Sequence, residues 1–464
     1  MSELWRRTAD DLAALIRAGE ISSREVVQAH LDRIEEVNPS VNAVTVTLSE
    51  SALAAADAAD AASGDDRGPL HGVPFSIKEN IDCVGSPTTN GVPALAEFLP
   101  ERDAVIVERM KRAGGIPLAR TNMPEMGVRL DTDNPLRGRT RNPWNPNLTP
   151  GGSSGGEASA LATGMTPFGL GNDIGGSLRN PAYCCGIASL KPTVGRIPLA
   201  TANLADFGVA NAFLTDGPMA RSVADLRLGL LILAGRDRSD PQSVDAPLAG
   251  PVPEHPRAAL VTRIPGVELP AATVSEIERA GRALADQGWE VEEAEAPELD
   301  RVNDIWGKVI TYDSDVLFAE MGPILRPVVY ESLVRMAGHF DARSMPNVAI
   351  HRERRRLRAL WSEWLTGYTV AIGPTWTCTP WEIDADLDPE GGLQVFLDTI
   401  RFITPGNVLG IPGLALPTGV ADGLATGVQI YAELYRDDLC LMAAEAIEAE
   451  SPMPTPIDPV VPSA

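Results

Sequence analysis

Short apolar runs alternate with helix-forming stretches along this chain, and that alternation limits its fold more than any other feature. "GVPFSIKEN" reads as a strand ending at Lys78. Asp103 is placed to cap a helix through Met110 and Lys111, and "GGIPLART" at 114–121 is the next strand. The pattern returns after residue 156 with the helix "GEASALATG", the strand "TPFGLG", a helix beginning near Ser177, and "GIASLKP". Ser22, Ser23, Arg24 and Glu25 form a capping box ahead of Val26, Val27, His30, Leu31 and Ile34, with Asn38-Pro39 expected to stop that helix. An alanine-rich helix follows at roughly 51–62. Farther on, "RAALVTR", a helix from Ser275 to Gln287 and "WEVEEAEA" make another βαβ-like unit. Strands separated by helices predict the α/β class: a large central sheet, mostly covered on both faces by helices.

At 464 residues the chain can be organised as one large domain in sections. Residues 1–70 supply N-terminal helices packing on the core, 71–235 the catalytic core, and 236–400 a variable, partly helical section around the substrate pocket. Residues 401–450 supply closing strands and a helix, and 451–464 a proline-rich tail expected to be extended or disordered. Charge bears on partners. Asp and Glu number 63 against 39 Lys and Arg, a formal balance of −24 that repels nucleic-acid phosphates and anionic lipid. No secretory signal and no apolar run of about 18 residues is found, so the expectation is a cytoplasmic protein without nucleic-acid or membrane partners. Cys83, Cys184, Cys185, Cys378 and Cys440 are odd in number and lack metal-ligand spacing, which fits reduced thiols.

Two glycine-serine turns then need a function: "GGSSGG" at 151–156 and "DIGGSLRNP" at 173–181. Glycine lets main chain adopt positive φ and approach a ligand, so serines set among glycines present hydroxyls on exposed backbone. A phosphate loop is excluded because Glu157 stands where its lysine belongs. A nucleophile elbow fits Gly151-Gly152-Ser153-Ser154-Gly155 literally, with His255, His339 and His351 downstream, but the preceding "RGRTRNPWNPNLTP" offers no apolar strand to carry it. Ser154 could cap the following helix with Glu157 as box partner, which leaves Ser153 and the second turn unexplained. A serine site served by a lysine base uses both turns and needs no histidine.

At this point the residues resemble a known family, the amidase signature enzymes. The resemblance rests on Gly151-Gly152-Ser153-Ser154-Gly155-Gly156, the Asp173–Pro181 turn, "CGIASLKPTVGR" at 185–196, "LHGVPFSIKENID" at 70–82 and "GIPLARTNMPEMG" at 115–127. Flanking matches are "SSREVVQAHLDRIEEVNPSVNAV" and "TDGPMARSVADL" at 215–226. It is close over residues 9 to about 240. It thins beyond, where "IPGLALPTGVADGLATGVQI" is similar to closing strands with Ala425-Thr426 in place of the usual Pro-Val.

What the resemblance implies is amide hydrolysis by a triad of Lys78, Ser153 and Ser177, with neither cofactor nor metal. Ser177 would attack the carbonyl, and Ser153, on a cis peptide after Gly152, would link it to the lysine. The N–H groups of Ile174, Gly175, Gly176 and Ser177 would face the oxyanion. Lysine titrates near 10.4, so a base at neutral pH must be lowered by roughly 2 to 3 log units, which burial beside the apolar strand can supply. Ser154 is open between helix cap and hydrogen-bond partner of Lys78, and Asp173 is expected to support the turn. Arg179 could pair with Asp173 or meet an acidic substrate group. Met126 and Trp376 are pocket candidates, as is the insertion at 200–213; most of Trp306, Trp361, Trp364, Trp376 and Trp381 belong in the core. The expected partner is a small amide, with a homodimer as the expected assembly. The fold also admits the amidase subunit of a glutamine-dependent amidotransferase acting on charged tRNA, or a non-catalytic binding protein. The charge of −24 opposes the former and the intact triad the latter.

Overall fold

The computed structural model describes residues 3–62, 67–199 and 208–461. Eleven strands among them form one mixed sheet. Its order is Val44–Thr47, Ile116–Thr121, Pro74–Lys78, Phe168–Asp173, Thr215–Ala220, Ala188–Lys191, Gly413–Ala421, Leu424–Tyr431, Val370–Pro374, Arg257–Leu260 and Glu290–Glu293. Pro74–Lys78 runs parallel to both its neighbours, and Arg257–Leu260 is parallel to Val370–Pro374 and Glu290–Glu293. The strands between are antiparallel.

Strand side chains alternate between faces, and here both faces are buried. Leu414, Leu416, Val428, Ile430 and Ile372 enter one core with Phe75, Ile77 and Phe168. Their neighbours Ala415, Tyr431 and Ala371 enter a second core with Met219, Trp361 and Phe402. The first core is closed by Ala9–Ala18, Val223–Leu233, Ala271–Asp286 and Asp437–Glu450; the second by Leu299–Thr311 and Asn347–Leu365. This is the doubly covered α/β sheet that the alternation predicts.

Local differences from the sequence reading have physical causes. The capping box at Ser22 forms, but its helix runs Ser23–Val41 through Pro39. Asn38 supports that end by accepting the Ala43 and Val44 N–H groups at 2.8 Å each, and Asn42 terminates it at φ +50°. The helix Val105–Arg112 starts from Ala104. Asp103 does not cap it, because its carboxylate takes the Val84 N–H and the Lys111 ammonium. At the C-terminus the chain lies against the domain as a strap: the Ile457 and Val460 N–H groups donate to the Ala162 and Pro143 carbonyls, and Arg33 pairs with Asp458. Most of the 200–213 insertion lies outside the described residues.

Candidate active site

Lys78 is the last residue of Pro74–Lys78, the third strand from one edge of the sheet, and every residue of that strand is buried. Its Nζ lies 2.6 Å from Ser153 Oγ and donates to Asn172 Oδ1 at 2.8 Å. Burial lowers its ammonium to about 7, against the opposing pull of Asp173, Asp216 and Glu157. Such an amine is largely uncharged just above neutrality and can accept a proton.

Ser153 comes from the first turn, and its peptide bond with Gly152 is cis. The carbonyl of Arg129 packs so closely there that a Cβ on Gly152 would lie 2.6 Å from it. Ser177 comes from the second turn, after the strand Phe168–Asp173 and before the helix Arg179–Cys185. Asn180 ties the turns together, donating to the Gly152 and Gly175 carbonyls at 3.4 and 3.2 Å. Ser153 and Ser177 line one cavity of about 140 Å³, with Trp306, Phe396, Leu333, Met336, Ile310 and Met126 among its walls.

The turn after Asp173 is braced from behind. Asp173 accepts the Gly176 N–H at 2.7 Å and the Leu178 N–H at 3.2 Å. Burial alone would raise its carboxyl, but the Arg179 guanidinium, with Asn407, brings it to about 2. The Gly176 N–H is therefore engaged and leaves the expected oxyanion set. Among the described residues no hydrogen-bond partner takes the N–H of Gly175 or of Ser177.

Closing the fold decides between the two roles left open for Arg179 and changes those expected of Trp376 and Ser154. Arg179 is fully buried and away from the cavity. It pairs with Asp173 at 3.0 Å, and its other amines reach Asn407, Gln429, Tyr431 and the Ile403 carbonyl, so no donor is left for substrate. Trp376 is also fully buried; its Nε1–H donates to Asn180 Oδ1 at 2.9 Å, which makes it a brace behind the turns. Ser154 is neither cap nor lysine partner, because its Oγ is buried without a hydrogen bond. Glu157 instead reaches Ser76 and Thr121, and burial raises its carboxyl to about 7. Met126 does line the cavity. His255, His339 and His351 are exposed and none lines it, which removes the nucleophile-elbow alternative.

Sequence reasoning missed Asn172, Asn180, Trp306 and Arg129. Asn172 and Asn180 sit in or beside the second motif and could have been found there. Trp306 and Arg129 carry no local signal. Arg129 lines the cavity and is held by Asp384 and Asp386, which come from a turn more than 250 residues away. No helix among the described residues is long and apolar enough to cross a membrane, and no cluster of His, Cys, Asp or Glu is arranged to hold a metal ion.

The family described as Amidase matches residues 25–441. An indoleacetamide hydrolase of Bradyrhizobium diazoefficiens is 42% identical over 96% of this chain and 86% of its own. A glutamyl-tRNA(Gln) amidotransferase subunit of Acidothermus cellulolyticus is 32% identical over 97% of this chain and 95% of its own. Among solved structures, 6-aminohexanoate cyclic dimer hydrolase with substrate superposes with a TM-score of 0.83 at 30% identity, covering 97% of this chain and 98% of its own. The sheet, the paired serine turns and this likeness along nearly the whole length make the chain a member of the amidase family, an enzyme that hydrolyses amide C–N bonds.

Proposed function

We propose that Ser177 is the acylated nucleophile and that Ser153 relays its proton to Lys78. The observation that carries this reading is the buried Lys78 Nζ, 2.6 Å from the Ser153 hydroxyl. With Nζ neutral, the Ser153 O–H donates to its lone pair while Ser153 Oγ takes the Ser177 proton. Ser177 Oγ bonds to the amide carbon, and the carbonyl electrons move onto oxygen, facing the N–H groups of Ile174, Gly175 and Ser177. Collapse breaks the C–N bond as Ser153 returns a proton to the departing amine and takes one back from Lys78. Water then repeats the sequence on the ester, releasing the acid and restoring Ser177.

The cavity supports an acyl group that is uncharged and apolar. Trp306, Phe396, Ile310, Leu333 and Met336 are among its walls, Asn80 and Asp82 also line it, and the lining Arg129 is paired to Asp384 and Asp386. A primary arylacetamide such as indole-3-acetamide suits it, and the indoleacetamide hydrolase relative acts by name on such a compound. Glutamine, with an ammonium and a carboxylate, suits these mostly apolar walls less well than an uncharged amide, although Arg129 Nη1 has no hydrogen-bond partner among the described residues and the Asp82 carboxylate also lines the cavity.

The test is a substrate panel with a trapping experiment. Indole-3-acetamide and phenylacetamide are expected to exceed glutamine in kcat/KM by at least about 100-fold, the order expected when a charged group must enter an apolar pocket. A fluorophosphonate should label Ser177 alone, located by mass spectrometry. Glutamine as the preferred substrate would overturn the pocket assignment, and a label elsewhere the nucleophile.

A further inference from the structure

The Ile174–Gly175 peptide unit belongs to the turn that faces the reacting carbonyl, and its own carbonyl is held from a distant segment. Trp306, on the helix Leu299–Thr311, donates its Nε1–H to the Ile174 oxygen at 3.1 Å. A peptide unit is planar, and in the trans form its C=O and N–H point in opposite directions. Fixing the Ile174 oxygen therefore also aims the Gly175 N–H.

The indole is firmly placed. Trp306 is 4% exposed, packs edge-on against Phe340 with centroids 6.2 Å apart, and is tilted against Phe396 at 6.0 Å. It approaches Gly175 so closely that a Cβ there would lie 2.7 Å from Cζ2. The same indole lines the substrate cavity. Neighbouring donors are controlled differently: Asp173 holds the N–H groups of Gly176 and Leu178 directly. Among the described residues the Gly175 N–H has no such partner, and it is steered through the carbonyl of its own peptide unit.

We propose that Trp306 is a positioning residue for the oxyanion site, its indole N–H holding the Ile174–Gly175 peptide so that the Gly175 N–H meets the carbonyl oxygen as charge develops. The assignment rests on the reading in which Ser177 is acylated. A hydrogen bond accepted by a peptide carbonyl also polarises that unit and strengthens its N–H as a donor. Because the benefit grows with charge on the substrate oxygen, it belongs to the transition state and appears in kcat, not in KM.

Site-specific replacement of Trp306 by 3-benzothienylalanine keeps the bicyclic shape and exchanges only N–H for sulfur; Trp306→Phe is the second variant. With phenylacetamide, kcat is expected to fall about tenfold in both, less than the loss of a whole oxyanion donor, while KM stays within about twofold in the benzothienyl enzyme, which keeps the pocket wall. The acid limb of the pH profile, set by Lys78, should not move. Phenylboronic acid, which forms an anionic tetrahedral adduct on a serine, should bind about tenfold more weakly, in step with kcat. Unchanged kcat in the benzothienyl enzyme, or a change confined to KM, overturns the proposal. Activity retained in Ser177→Ala would instead sink the underlying reading. An inactive Ser177→Ala beside a benzothienyl enzyme with parental kcat would remove only the role of Trp306.

Discussion

Two lysines end two strands of the same sheet, and they make an instructive pair. Lys78 closes Pro74–Lys78 and Lys191 closes Ala188–Lys191; both are fully buried, and burial brings both to about 7. The local sequences "FSIKEN" and "ASLKPT" look alike. What separates them is the neighbour. Lys78 meets the Ser153 hydroxyl, which has a proton to give and opens onto the cavity. Lys191 donates to the Pro192 carbonyl at 2.7 Å, which has none, and lies beside the Arg179–Asp173 pair. Lowering a lysine's pKa makes a base available, and only a proton donor within reach turns it into machinery.

The comparison can be broken most directly by removing one amine at a time. Lys78→Met and Ser177→Ala are expected to lower kcat/KM for an arylacetamide by about 10⁴-fold or more, as when members of a nucleophile–base unit are deleted. A Lys78→Met enzyme near parental activity would deny that lysine its part. Arg179→Met leaves Asp173 buried and unpaired, so urea denaturation should show a loss of about 3 to 5 kcal/mol; a loss below about 1 kcal/mol would mean the pair does not hold the turn.

Titration sharpens the contrast. Protonated Lys78 cannot accept a proton, so kcat/KM should fall about tenfold per pH unit below about 7 and level off above it, where the neutral amine predominates. Lys191→Met should leave that limb in place and kcat/KM within about threefold. If the limb disappears in Lys191→Met, the working base has been assigned to the wrong strand. The smallest effect belongs to the exposed His351, where His351→Ala should leave activity within about twofold; a large loss would restore the elbow alternative.

Much of the site was legible because its residues lie within short motifs. The resemblance to the amidase signature motifs, each short and contiguous, names Lys78, Ser153 and Ser177 as the proposed triad, and the second turn names Asp173. Arg179 and Trp376 could be noticed but not placed, since a guanidinium or an indole serves equally against substrate or inside a core. Partners in distant strands and turns decide which, here Asn407, Gln429 and Tyr431 for Arg179 and Asn180 for Trp376. Ser154 and Glu157 match a capping box by spacing, yet strand residues Ser76 and Thr121 take the carboxylate. Trp306 and Arg129 could not be singled out, because the bonds that give them their place, Trp306 to the Ile174 carbonyl and Arg129 to Asp386, each span more than 100 residues of sequence.

The sequence by itself determined the α/β class, since periodicity and residue type act over a few neighbours, and its short motifs carried the family resemblance that implies the roles proposed for the paired turns. Tertiary structure alone decided which buried lysine meets a hydroxyl, which arginine is spent on Asp173, and which tryptophan reaches the Ile174 carbonyl. Burial and hydrogen-bond partners are properties of the closed sheet and its covering helices, and they exist only once distant segments have packed.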